Sequence, residues 1–113
     1  MEGRSDLNNI TKEIVDAVLH LLEDKVYKIV LYGSYARGDF SFGSDIDIMI
    51  LLNCSKDEVK SFRNSVSKLA SQISLNHDVE VSLLLRDRVT FEQKLDIMPF
   101  YQNVENDGVA LYG

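Results

Sequence analysis

The chain has 113 residues, 45% hydrophobic and 27% charged, which suits one domain (1–113) with a single core and excludes a disordered chain. A formal net charge of -6 and a pI of about 4.8 oppose a phosphate backbone, so no stable nucleic-acid binding is expected. One cysteine, Cys54, excludes an internal disulfide, no apolar run nears the ~20 residues of a membrane span, and the polar start Met1-Glu2-Gly3-Arg4 lacks a signal-peptide pattern, so a soluble, cytoplasmic protein is expected.

Leu7 to about Asp24 reads as a helix, because Ile10, Ile14, Ala17, Val18, Leu21 and Leu22 recur at three- and four-residue steps. His20 falls off that stripe and reads as a solvated helix residue. Val26 to Tyr32 is a β-branched and aromatic run that stops at Gly33, a buried strand. Asp45 to Leu52 is a second strand, and the Gly-, Ser- and Asp-rich segment between them is turn and loop. Ser55-Lys56-Asp57-Glu58 matches a capping box, opening a helix from about Lys56 to Ile73. Asp78 to Leu85 reads as a third strand with Asp78, Glu80 and Ser82 on one face. Two short helices follow, Phe91 to Leu95 and Pro99 to Asn106, with Pro99 at a first helical position and Gly108 as the stop; Val109 to Tyr112 reads as a short edge strand or a tail packed on the core. This order of elements predicts an α/β (α+β) fold with a mixed sheet of three to four strands flanked by helices.

The chemistry concentrates between Leu31 and Ile50. Ten residues separate Ser34 from Asp45, and one separates Asp45 from Asp47. Residues i and i+2 on a strand point the same way, about 6.5–7 Å apart, so the two carboxylates can converge on one cation or a close pair. An oxygen-only donor set without thiols or imidazoles suits Mg²⁺ or Mn²⁺ rather than Zn²⁺. Gly33 lets a phosphate approach the backbone closely, and the short helix Ser34-Tyr35-Ala36-Arg37 offers free N–H groups and the Ser34 hydroxyl. The turn lacks the Gly-Lys-Ser/Thr of a P-loop. Arg37 can neutralise phosphate charge or pair with Asp39 or Asp45. Ser44 can contact phosphate or metal-bound water, or cap the turn.

Gly33-Ser34, ten residues, then Asp45-Ile46-Asp47 resembles the signature of the nucleotidyltransferase superfamily that includes DNA polymerase beta. The fuller string Gly-Ser-Tyr-Ala-Arg-Gly-Asp with Ser-Asp-Ile-Asp, and the ending Pro99-Phe100-Tyr101-Gln102-Asn103-Val104 through Asp107-Gly108-Val109, resemble its small stand-alone branch, the minimal nucleotidyltransferases. The resemblance implies that Asp45, Asp47 and a third acid on a later strand bind two divalent ions and act as the catalytic residues. That third acid is Asp78 or Glu80, and the family's pattern of an acid, an apolar run and a serine favours Asp78. It also implies that the ions hold the triphosphate of a nucleotide, with an acceptor hydroxyl attacking the α-phosphorus.

Larger members of that superfamily carry a second domain for the acceptor. Here the acceptor must come from a partner chain, a bound small molecule or a second copy. The resemblance points to a HEPN-domain partner, with AMP passing from ATP to a tyrosine of that toxin and the chain acting as antitoxin. Two rival expectations are a binding module that neutralises its partner by contact, with vestigial catalytic residues, and a small-molecule nucleotidyltransferase of the antibiotic-modifying kind.

Overall fold

The computed structural model describes residues 4–39 and 43–113. The chain forms α1 (Arg4–Leu22), a 3₁₀ turn (Glu23–Lys25), β1 (Val26–Tyr32), α2 (Ser34–Arg37), β2 (Ile46–Leu52), α3 (Lys56–His77), β3 (Val81–Asp87), α4 (Arg88–Lys94), α5 (Pro99–Asp107) and β4 (Val109–Tyr112). The four strands make one sheet in the order β3-β2-β1-β4. β1 is antiparallel to both β2 and β4, and β2 is parallel to β3. The mixed α+β architecture is the expected one, with Val109–Tyr112 as a genuine edge strand. Among the described residues no helix is long and apolar enough to cross a membrane.

β2 lies between β1 and β3, and every one of its residues is buried except Asp47, which is half-buried. Alternation divides its side chains between two apolar layers. Ile46, Ile48, Ile50 and Leu52 meet α1 and α3, packing with Ile29, Leu31, Val81 and Leu85 of the neighbouring strands, with Leu7, Ile10, Ile14, Val18 and Leu22 of α1, and with Val59, Val66 and Ile73 of α3. Met49 and Leu51 face the other way, onto Phe91 of α4 and Tyr101 and Val104 of α5. Each fully buried isoleucine stabilises the fold by about 1.5–3 kcal/mol. The first face therefore carries most of the core, and the second is covered only partly.

Several boundaries differ from the sequence reading: α4 starts at Arg88 instead of Phe91, β2 starts at Ile46 instead of Asp45, β3 ends at Asp87 instead of Leu85, and two further shifts bear on the third acid. α3 runs to His77 instead of Ile73, and Asp78 ends it as a left-handed C-cap (φ 52°, ψ 47°) whose N–H donates to the Ser74 carbonyl. Aspartate tolerates this conformation better than most residues. β3 consequently starts at Val81, so Asp78 belongs to the helix end and does not share a strand face with Glu80 and Ser82. Ser55 Oγ caps α3 by accepting from the Glu58 N–H at 3.2 Å, as the capping box predicts. The Glu58 carboxylate bonds Lys25 Nζ at 2.9 Å.

Gly108 closes α5 in an extended conformation, and a Cβ there would collide with the Val104 carbonyl and a Val30 methyl. That turn is what lets β4 reach the edge of β1. His20 is exposed and Cys54 half-buried.

Candidate active site

The carboxylates and the glycine turn meet at one end of the sheet. β1 finishes there, β2 and β3 begin there, and the register places Tyr32 opposite Asp47 and Asp47 beside Ser82. All three lie on the face that also carries Met49 and Leu84. Asp45 precedes β2 by one residue and is exposed. Glu80 precedes β3 by one residue; its carbonyl accepts from the Ile46 N–H at 2.9 Å, so the strand entries that carry Asp45 and Glu80 run side by side. Asp78, exposed at the helix cap, lies outside this pairing.

Gly33 stands against Asp47. Its backbone (φ 77°, ψ −156°) is one that essentially only glycine adopts. A Cβ built on it would stand 2.6 Å from Asp47 Oδ2. The glycine is required twice, by conformation and by the space the carboxylate fills. α2 is a single turn: the Arg37 N–H donates to the Gly33 carbonyl at 3.2 Å, and the Gly38 and Asp39 N–H groups donate to the Ser34 carbonyl at 3.0 and 3.1 Å. Tyr35 is buried and anchors this turn to the core, while Ser34 and Ser44 are half-buried. Phe40, Ser41 and Phe42, which the sequence reading places in the connecting loop, lie outside the described residues.

The electrostatics follow from the crowding of like charges. Burial, and then the Asp45 carboxylate, push the Asp47 carboxyl above the usual range, while Arg37 opposes them. Arg37 Nε bonds Asp39 Oδ2 at 3.2 Å, with both side chains exposed, so the pairing with Asp39 is the one formed. The Tyr32 hydroxyl is pushed up by burial and then by Asp47, against Arg86. A cation bound at Asp45 and Asp47 would relieve this negative field. Among the described residues, no three or more His, Cys, Asp or Glu side chains are already gathered to hold a metal.

Comparison with known proteins identifies the arrangement. The sequence profile of the nucleotidyltransferase domain family matches residues 11–109, nearly the whole chain. The chain belongs to the nucleotidyltransferase domain family. Two proteins of Methanocaldococcus jannaschii are similar in sequence: Putative protein adenylyltransferase MJ0141 is 33% identical over 94% of this chain and 99% of its own length. Putative protein adenylyltransferase MJ0604 is 33% identical over 89% and 93%. A crystal structure of a toxin–antitoxin MntA-HpeT mutant aligns with a TM-score of 0.55 at 22% identity, over 89% of this chain and 72% of that one. A crystal structure of a toxin–antitoxin with AMP-PNP aligns at 0.51 and 23%, over 88% and 70%. At such identities these two structures establish the nucleotidyltransferase fold.

The nucleotidyltransferase domain also brings to its site residues that the sequence reading passed over. Arg86, on β3, donates from Nε to the Tyr101 hydroxyl at 3.1 Å and from Nη1 to the Leu85 carbonyl at 2.8 Å. Tyr101 packs edge-on to Phe100, and Phe100 edge-on to Tyr32. Tyr32 adjoins Gly33 in sequence, which is the one signal that could have pointed to it. The α5 residues have no such signal, because their proximity arises only from tertiary packing.

Proposed function

We propose that this nucleotidyltransferase moves AMP from ATP to a hydroxyl of a partner protein, a tyrosine of a HEPN-domain toxin, in a divalent-metal-dependent reaction that makes the chain an antitoxin. The observation that carries this reading is the contact between turn and carboxylate: a Cβ at Gly33 would fall 2.6 Å from Asp47 Oδ2, so the phosphate-side backbone and the metal-side oxygen share one small space. The two M. jannaschii relatives are named for protein adenylylation and match this chain over almost their full lengths.

The residues fit Mg²⁺. Such an ion needs only one or two carboxylates and keeps waters and substrate phosphates in its other positions, so the absence of a preformed three-acid cluster among the described residues is no obstacle. Asp45 and Asp47 would hold it, with Glu80 as the third acid; the side-by-side strand entries favour Glu80 over Asp78. When bound, divalent ions stabilise the attacking and leaving oxygens of an in-line displacement. Gly33 keeps the backbone open to the phosphates, and Ser34 adds a hydroxyl. Arg37 lies near enough to Asp47 to lower its carboxyl and contributes positive charge beside the phosphates. Ser44 adjoins the first carboxylate. The acceptor oxygen bonds to the α-phosphorus, the bond to the bridging oxygen breaks, pyrophosphate leaves, and the hydroxyl proton passes to solvent at the open rim.

The test combines the chain, ATP labelled at the α-phosphate, Mg²⁺ and a purified HEPN-domain protein encoded beside it. Label is expected on a tyrosine of that protein and is expected to disappear with Asp47→Asn or with chelation. Labelling at the wild-type rate by Asp47→Asn would refute the reading.

A further inference from the structure

β3 is the outermost strand on its side of the sheet, and its outer edge is open. It pairs with β2 over all seven of its residues with no register shift, and the run Val81-Ser82-Leu83-Leu84-Leu85-Arg86-Asp87 contains no proline and no lysine. Bulges, prolines and lysines are the devices that ordinarily stop an edge strand from pairing further. Beside this edge lies a groove of about 850 Å³, lined along one side by the consecutive residues from Glu80 to Arg86 and along the other by α3, with Ser67, Ser71 and Leu75. Leu75 is 84% exposed there, and Leu83 and Leu84 are half-buried.

The backbone shows which groups point into the groove. The Glu80 carbonyl accepts from the Ile46 N–H, and Ile46 lies beside Val81 in a parallel ladder. Alternate residues of such a strand turn both backbone groups toward the neighbour, so Ser82 and Leu84 serve β2 while Val81, Leu83 and Leu85 face outward. The Val81 N–H accordingly donates to Ser74 Oγ of α3 at 3.0 Å. Leu83 and Leu85 have no such partner for their backbone groups among the described residues.

We propose that β3 pairs antiparallel with β3 of a second copy about a two-fold axis at Leu83, joining the two sheets into one and setting Arg86 of each copy beside Glu80 of the other. The edge selects this occupant because it is complementary to itself. Glu80 and Arg86 stand equally far from Leu83 along the strand and on the same face. Inverting the strand about Leu83 therefore lays Leu83 opposite itself, Val81 opposite Leu85 and Glu80 opposite Arg86, twice by symmetry. The Leu83 pair is then hydrogen-bonded, and the Glu80–Arg86 pair is of the other kind, in which side chains approach most closely. Glu80 is exposed, and neither Glu80 nor Arg86 forms an ion pair among the described residues. Arg86 keeps N–H donors beyond those bonded to Tyr101 and Leu85, and the Glu80 carboxylate has lone pairs for an arginine as well as a metal ion. Main-chain bonds and the leucines hold such a pair, and the charges fix its register, since an exposed ion pair adds little affinity. The pairing does not depend on the transfer reading.

Sedimentation equilibrium over a concentration series reads the oligomeric state, with circular dichroism to show that each variant is folded. The wild type should be a dimer. Leu83→Lys sets like charges opposite each other at the axis and should weaken the dimer by about tenfold or more. Arg86→Glu should also weaken it, and adding Glu80→Arg should restore it; both proteins lack the Tyr101 bond, so the recovery reports the pair across the axis. In a Cys54→Ser background, Leu83→Cys should cross-link two copies under mild oxidation, because Cα atoms of a hydrogen-bonded pair lie about 5.5 Å apart, within disulfide reach. This mild variant decides the matter if Leu83→Lys unfolds. A wild-type monomer at every concentration would overturn the proposal, as would a dimer that Leu83→Lys leaves intact, a Leu83→Cys protein that does not cross-link, or a double exchange that restores nothing. A monomer that loses its binding to the HEPN-domain protein on Leu83→Lys would also overturn it and give the edge to that partner.

Discussion

Replacing Gly33 with alanine separates the two demands on that residue. Its φ of 77° and ψ of −156° cost an L residue about 1–3 kcal/mol. The new methyl group would also meet Asp47 Oδ2 at 2.6 Å, and ordinary contact begins at 3.4 Å, so the oxygen must retreat by about 0.8 Å. A displacement near 1 Å at a reacting centre can cost about 10²-fold in rate. Gly33→Ala should therefore lower Tm by about 4–8 °C for each kcal/mol of strain, leave the domain folded, and reduce label transfer by about 10²-fold. Circular dichroism melts and the transfer assay read the two effects. Repeating the melts in an Asp47→Ala background isolates them: the backbone strain stays, while the part due to the carboxylate vanishes as a coupling energy. A Gly33→Ala protein with wild-type melting and wild-type transfer would refute both the strain and the shared space.

The Asp47 carboxyl is raised above its unfolded value by burial and then by Asp45, so its ionisation opposes folding once pH rises above about 3.8. Asp47→Asn should thus stabilise the domain at neutral pH by less than about 1 kcal/mol, since the group is partly solvated, and the gain should disappear in melts below that pH, while transfer falls by on the order of 10²-fold or more. Glu80→Gln should abolish transfer and Asp78→Asn should preserve it; Asp78→Gly should raise stability by up to about 1 kcal/mol, because glycine suits the left-handed cap. At Asp87, burial pushes the carboxyl up, but hydrogen bonding at the head of α4, where the Thr90 N–H donates to Oδ2 at 2.8 Å, overrides that and the net shift is down. Asp87→Ala should cost about 0.5–2 kcal/mol at pH 7, and denaturant titrations should show the difference fading as pH falls through the lowered value.

The strands and helices facing the larger core were legible because their periodicity is undiluted. Val26 to Tyr32 is bounded by the residues the sequence indicates, and Lys56 begins α3 where the Ser55 cap requires. Of the stretch Gly33-Ser34 with Asp45 and Asp47, where turn, spacing and alternation agree, the structure places Gly33 against Asp47. The strand start expected at Asp78, which the structure moves to Val81, has a physical source. His77 and Asp78 are polar, Val79 and Val81 alternate with Glu80, and the same residues satisfy a strand pattern and a helix end. A 22-residue helix spans about 33 Å while a seven-residue strand spans about 23 Å, so α3 overshoots β2 and the chain needs a turn before β3 starts. Length of crossover is a tertiary quantity that local periodicity does not encode.

The crossover also explains how the strand entries that carry the acids come to one end of the sheet. Were β3 joined to β2 by a tight turn, the two would be antiparallel, and the end of β3 carrying Asp87 would lie beside Asp45. Asp87 is instead buried at the far end, where it accepts from the Thr90 N–H and starts α4. The long return through α3 makes the pairing parallel, so Ile46 lies beside Val81 and the two strand entries, with Asp45 and Glu80, begin together. β1 runs the opposite way and delivers Gly33 and Tyr32 to that same end. α5 then returns across the second face, where the Arg86–Tyr101 hydrogen bond and the Tyr32–Phe100 contact fasten its start to β3 and β1. α5 thereby covers Met49 and Leu51 and is tied to the strands it covers, so Arg86→Ala, which removes the bond to the Tyr101 hydroxyl, should lower the melting temperature.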